Sequence, residues 1–132
     1  MTEIERFSLC VKARERMTTI RSLLSLAIDG KLAVKYKIGN HVSLVRITSC
    51  LGTLQLASNL LGSALKPLET SSEGEYENTD KNLFIEIFRT VEELIETAKF
   101  NYNYFLELKE NPDRHKQDVE NKGKREKHTQ TG

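Results

Sequence analysis

Tryptophan is absent from this 132-residue sequence, and proline and cysteine occur only twice each. With so few prolines, long stretches of chain meet no helix breaker. The cysteines, Cys10 and Cys50, are too far apart for a zinc motif, and two are too few for the disulfide framework of a small secreted scaffold. Each lies within an apolar helical pattern, the ordinary setting of a buried free thiol in a reducing compartment. Aromatic residues make up 7% and the net charge is only +1, so the basic surplus of a protein that wraps nucleic acid is missing.

Signals of targeting and catalysis are missing too. The first residues carry Glu3, Glu5 and Arg6 and no hydrophobic run ending in a small-residue cleavage site, so no signal peptide is expected. No serine sits in a Gly-x-Ser-x-Gly elbow, and no glycine-rich phosphate loop follows a strand. His41, His115 and His128 have no carboxylate at ligand spacing within an apolar pattern, and there is neither a Glu-x-x-His nor a Cys-x-x-Cys pair. Glu92, Glu93 and Glu96 supply half of a helical Mg²⁺ set, but the segment that would face them has no acidic residue. They read better as a solvated helix face. The expectation is a protein without metal, cofactor or catalytic residues.

What is present is a globular composition, 38% hydrophobic and 30% charged, in a chain of single-domain length. Its most distinctive part is Ile47 to Leu65, nineteen residues without a charge. Leucines provide the apolar mass, and Thr, Ser, Gly and Ala keep the remaining positions small. Gln55 and Asn59 lie mid-span and Arg46 and Lys66 bound it, so it reads as a core helix of a cytoplasmic protein rather than a membrane span. A helix apolar on nearly all sides must be covered on nearly all sides, which predicts self-association, most simply a dimer with small residues at its axis.

Around this span the periodicity predicts an all-α antiparallel bundle of three long helices. Cys10, Ala13, Met17, Ile20, Leu24 and Ala27 alternate three- and four-residue spacings over residues 2–29. Thr2 with Glu5 forms a candidate capping box, and Asp29-Gly30 a candidate stop. Residues 31–47 admit two readings. Alternation of Leu32, Val34, Tyr36 and Ile38 before Gly39-Asn40 fits a short β-hairpin, giving an α+β alternative. A seam from Leu44 through Ile47, Leu51, Leu54, Ser58, Leu61 and Leu65 favours instead a helix from His41 to Lys66, ended by Pro67.

Residues 69–80 read as a polar, acidic, mobile loop, with Asn78 or Thr79 as cap of the next helix and Asp80 favouring its positive end. The third helix, about Asp80 to Lys109, gathers Phe84, Ile87, Phe88, Val91, Leu94, Ile95, Ala98, Tyr102, Phe105 and Leu108 on one face. Arg89 with Glu93 and Glu96 with Lys99 are its expected surface pairs. Residues 1–111 thus form the bundle domain, and 112–132 a solvated or disordered charged tail.

Charge is partitioned along the chain. Met1 to Lys66 holds ten Lys/Arg against four Asp/Glu, whereas Pro67 to Leu108 holds three against ten. Mutual attraction of the basic first half and the acidic third helix is the preferred reading. Two candidate surfaces follow. On the third helix, Phe100 and Tyr104 project away from the core face beside Glu93 and Glu107, an arrangement that fits a protein partner, with Phe100, Tyr104, Glu93 and Glu96 as the candidate binding residues. The alternative is nucleic-acid contact by Arg14, Arg21, Lys31, Lys35 and Lys37, with Lys122, Lys124, Arg125 and Lys127 as a weaker tail cluster. The preferred function is a non-enzymatic adaptor or regulator that forms a homodimer and binds a protein partner; the alternative is a small nucleic-acid-binding accessory protein.

Overall fold

Helix formation starts at a reciprocal cap. The Thr2 hydroxyl accepts the Glu5 amide at 3.1 Å, and the Glu5 carboxylate accepts the Thr2 amide at 3.0 Å. From there α1 runs over Glu3–Tyr36, followed by α2 (His41–Thr70) and α3 (Lys81–Glu110). The structure is a computed structural model and describes residues 1–36, 41–70, 72 and 79–110. The expectations for residues 37–40, for most of the 69–80 loop and for the 112–132 tail with its basic cluster lie outside the described residues.

The fold is all-α, and the described residues form a bundle of three long helices. Residues 31–36 and 41–47 are helical, which removes the β-hairpin alternative over those residues. Helix α2 is the centre: it packs along both neighbours and antiparallel to each, while α1 and α3, running parallel, meet each other less extensively. The core has three sections along the axis. Leu9, Cys10, Ala64, Leu68 and Phe84 form one end, Ala13, Ile20, Ala57, Leu61, Val91 and Ile95 the middle, and Ala27, Ile47, Cys50, Leu54, Ala98 and Phe105 the other end.

On α2 the fully inward seam is Ile47, Cys50, Leu54, Ala57, Leu61, Ala64 and Leu68. Leu51, Ser58 and Leu65, which the periodicity placed in the seam, are half-buried at its edge. Large side chains alternate with small ones, so α1 and α3 both approach closely. The outer side, with Thr48, Ser49, Gly52, Gln55, Leu56, Asn59 and Ser63, is exposed; it is uncharged and mostly polar, with Leu56 57% exposed among its small polar residues. The uncharged span is therefore mainly apolar on its inner half, where Ala57 and Ala64 are buried within the chain, while the small residues Thr48, Ser49, Gly52 and Ser63 are exposed.

Three boundaries differ from the expected ones. Helix α1 does not stop at Gly30 but continues to Tyr36. A glycine inside a helix costs about 1 kcal/mol, yet a Cβ here would lie 2.9 Å from Cε1 of the buried Phe105 ring. Gly30 is a close-approach residue, and Val34 beyond it packs on the same cluster as Ile47 and Phe105. Helix α2 likewise passes Pro67 and ends at Thr70. An interior proline costs ~3 kcal/mol. Burial of Leu68, 2% exposed, returns ~1.5–3 kcal/mol. The Arg6 guanidinium also caps the helix end, donating to the Leu68 carbonyl at 2.6 Å and the Glu69 carbonyl at 3.1 Å. The cap of α3 is Asp80 itself, whose carboxylate accepts the Asn82 amide at 2.9 Å.

Among the described residues, no helix is long and apolar enough to cross a membrane.

Candidate interaction surface

Of the four residues expected to meet a partner on α3, Phe100 is the most prominent, 65% exposed. Four residues on, Tyr104 is half-buried, and its ring stacks on that of Phe100 with centroids 6.4 Å apart and planes 23° apart. The reason for its partial burial lies on α2: the Arg46 guanidinium carbon sits 4.4 Å from the Tyr104 ring centroid, a cation–π contact. Arg46 is itself oriented by Asn101, whose Oδ1 accepts from Nη1 at 3.2 Å. Asn101 is 7% exposed, a buried polar group matched by this bond. The result is a ladder in which Asn101 holds Arg46, Arg46 covers Tyr104, and Tyr104 supports Phe100.

Glu93 is exposed two helical turns before Phe100 on the same stripe. Glu96 pairs with Lys99 of its own helix at 3.4 Å and, with Ile95, borders a shallow groove shared with Arg16 and Thr19 of α1. The structure therefore gathers Phe100, Tyr104 and Glu93, while Glu96 belongs to the flank. Arg46 and Asn101 were not identified from the sequence. Arg46 stands out there only as the boundary of the uncharged span, and nothing local links it to a tyrosine 58 residues away.

The basic residues are less concentrated. Arg14 and Arg21 are exposed on one flank of α1, and Arg14 is paired with Glu69 at 3.0 Å. Because residues 31–36 continue the helix instead of forming an arm, Lys31 is carried about 80° round from Arg21, to a half-buried position. Lys37 and the side chain of Lys35 lie outside the described residues. Arg14 and Arg21 thus share a flank that Lys31 does not join.

Ion pairs between helices are of both polarities. Arg16 of α1 meets Glu92 of α3 at 2.8 Å, as the charge partition suggests, but Lys81 of α3 meets Glu5 of α1 at 2.8 Å with the signs reversed. That pairing, with the amide and hydroxyl of Thr2, lowers the Glu5 pKa from 4.5 to about 2, the Lys81 hydrogen bond being the largest cause. Arg89 pairs with Glu86 at 3.4 Å, one turn in the other direction from the expected Glu93. Both cysteines are buried, and desolvation raises their pKa values, leaving them poor nucleophiles.

No protein-family model, no curated protein and no solved structure matches this chain. The functional reading rests on the surface itself.

Proposed function

We propose that this protein is a non-enzymatic helical adaptor or regulator that self-associates and binds a protein partner through the outer face of α3. The observation that carries the reading is Phe100, a large aromatic left 65% exposed on a support of Tyr104 and Arg46. Interface anchors are typically aromatic or Arg side chains whose geometry is fixed before binding, so that little freedom is lost on docking. Glu93 gives this anchor an acidic border, which suits a partner groove with a basic rim. Two buried free thiols fit a reducing compartment, and the cytoplasm is the location we assign.

A photo-crosslinking amino acid at position 100, compared with one at Glu86, tests the reading in extracts of the native host. A discrete adduct is expected from position 100, lost when Tyr104→Ala or Arg46→Gln removes the support while helicity is unchanged. Equal labelling from both positions, or no adduct at all, overturns it.

A further inference from the structure

Besides its inward seam, α1 carries a second heptad seam along its exposed flank, on the side where Arg14 reaches Glu69 of α2. It starts at Phe7 and Val11, 68% and 36% exposed, and ends at Ile28 and Leu32, 48% and 46% exposed. Arg14, Thr18, Arg21 and Ser25 continue the same three-and-four spacing between them, and all are exposed. The seam is unbroken over roughly 38 Å of helix. A polar middle between apolar ends resembles the a/d row of a short coiled coil with a register-setting centre.

We infer that this seam is the surface on which two copies of the chain associate, α1 against α1 in antiparallel orientation, with Phe7 layered on Leu32 and Val11 on Ile28 of the second copy. This inference rests on the self-association proposed above and places it on α1. Antiparallel a/d layers in this register put Arg14 opposite Ser25 and Thr18 opposite Arg21, and the two-fold axis repeats all four layers. Apolar residues meet apolar ones, and no arginine faces an arginine. A shift by one heptad sets Phe7 on Ser25 and Val11 on Arg21. Parallel pairing stacks Arg14 on Arg14 and Arg21 on Arg21, a like-charge arrangement in the seam.

The charges in the middle are already matched or find a match. Arg14 is neutralised by Glu69 of its own chain at 3.0 Å, and the Thr18 hydroxyl donates to the Arg14 carbonyl at 3.0 Å. Arg21 faces Thr18 of the second copy, with the exposed Glu15 one turn away on the same face. The association is isologous and closes as a pair rather than a filament.

Sedimentation of the full chain at tens of micromolar is expected to give twice the 15.1 kDa chain mass. Val11→Glu with Ile28→Glu, both at exposed positions, is expected to give the monomer mass with unchanged helicity. Under mild oxidation Val11→Cys/Ile28→Cys is expected to yield a covalent dimer, and neither single variant one. A monomeric wild type overturns both the self-association and the seam. A dimer that survives the Glu pair overturns the seam and leaves self-association standing. Cross-linking of Val11→Cys alone, or none in the double variant, overturns the antiparallel register.

Discussion

Replacing Gly30 and Gly52 by alanine makes the same chemical change in two helix interiors, and the structure requires opposite signs. Intrinsic helix propensity favours alanine over glycine by about 0.8–1.0 kcal/mol. At Gly52, on the outer side of α2, an added Cβ meets nothing within 4 Å. Only the propensity remains, so Gly52→Ala stabilises by about 1 kcal/mol. At Gly30 the Cβ would lie 2.9 Å from Cε1 and 3.3 Å from Cζ of Phe105, and 3.4 Å from Cδ1 of Ile47. Carbon pairs prefer about 3.5–4.0 Å. Phe105 is 1% exposed and Ile47 fully buried, so neither ring nor methyl has free space to move into. Overpacking of this kind costs about 1–3 kcal/mol, which outweighs the propensity gain and leaves Gly30→Ala destabilised by about 1 kcal/mol. Urea denaturation at one fixed protein concentration reads this as midpoints shifted in opposite directions by roughly 0.5 M, for a slope near 2 kcal/mol per M. Phe105→Leu in the Gly30→Ala background should recover part of the loss, since the two sites share one contact. If Gly30→Ala raises the midpoint as Gly52→Ala does, α1 and α3 do not approach at this point and the reasoning fails.

Three further outcomes are expected. Leu68→Ala, although it lies beyond Pro67, should cost about 2–4 kcal/mol in the same assay; a change under 0.5 kcal/mol, the scale of an exposed site, would show that α2 ends at the proline. The Glu5 pKa is lowered from 4.5 to about 2 in the folded chain. A folded value below the unfolded one means that the stabilisation is complete above pH 4.5 and is lost as the pH falls toward 2. Glu5→Gln should flatten that part of the stability–pH curve, and an NMR titration of the Glu5 carboxyl should show its low midpoint. Cys10 and Cys50 should react with an aromatic disulfide reagent more than about a hundredfold slower in the native protein than in urea, because reaction awaits an opening event; fast native labelling of Cys50 would contradict its burial.

Helix existence and much of the core were legible because both are periodic. A row such as Cys10, Ala13, Met17 and Ile20 can bury itself only as one helical face, and Phe84, Val91, Ile95, Ala98 and Phe105 of α3 are all buried as that pattern requires. The Thr2–Glu5 cap was legible for the same reason, being closed within one turn. The exposed Phe100 was also visible, since six of the nine Phe and Tyr residues crowd into 84–105 and cannot all point inward.

By itself, then, the sequence determined three helices, their inward faces and the aromatic knob of α3, because each is set by neighbours three or four positions away. Only the tertiary structure decided that Gly30 is an approach point rather than a stop, and that α2 passes Pro67 to bury Leu68. It alone set Arg46 over Tyr104 and divided the uncharged span into an apolar inner half and a mostly polar outer one. Those outcomes depend on groups 58 to 75 residues away in sequence, Leu68 and Arg6, Arg46 and Tyr104, Gly30 and Phe105. Packing energies of a few kcal/mol at such contacts exceed the local preferences of about 1–3 kcal/mol that a glycine or a proline expresses alone.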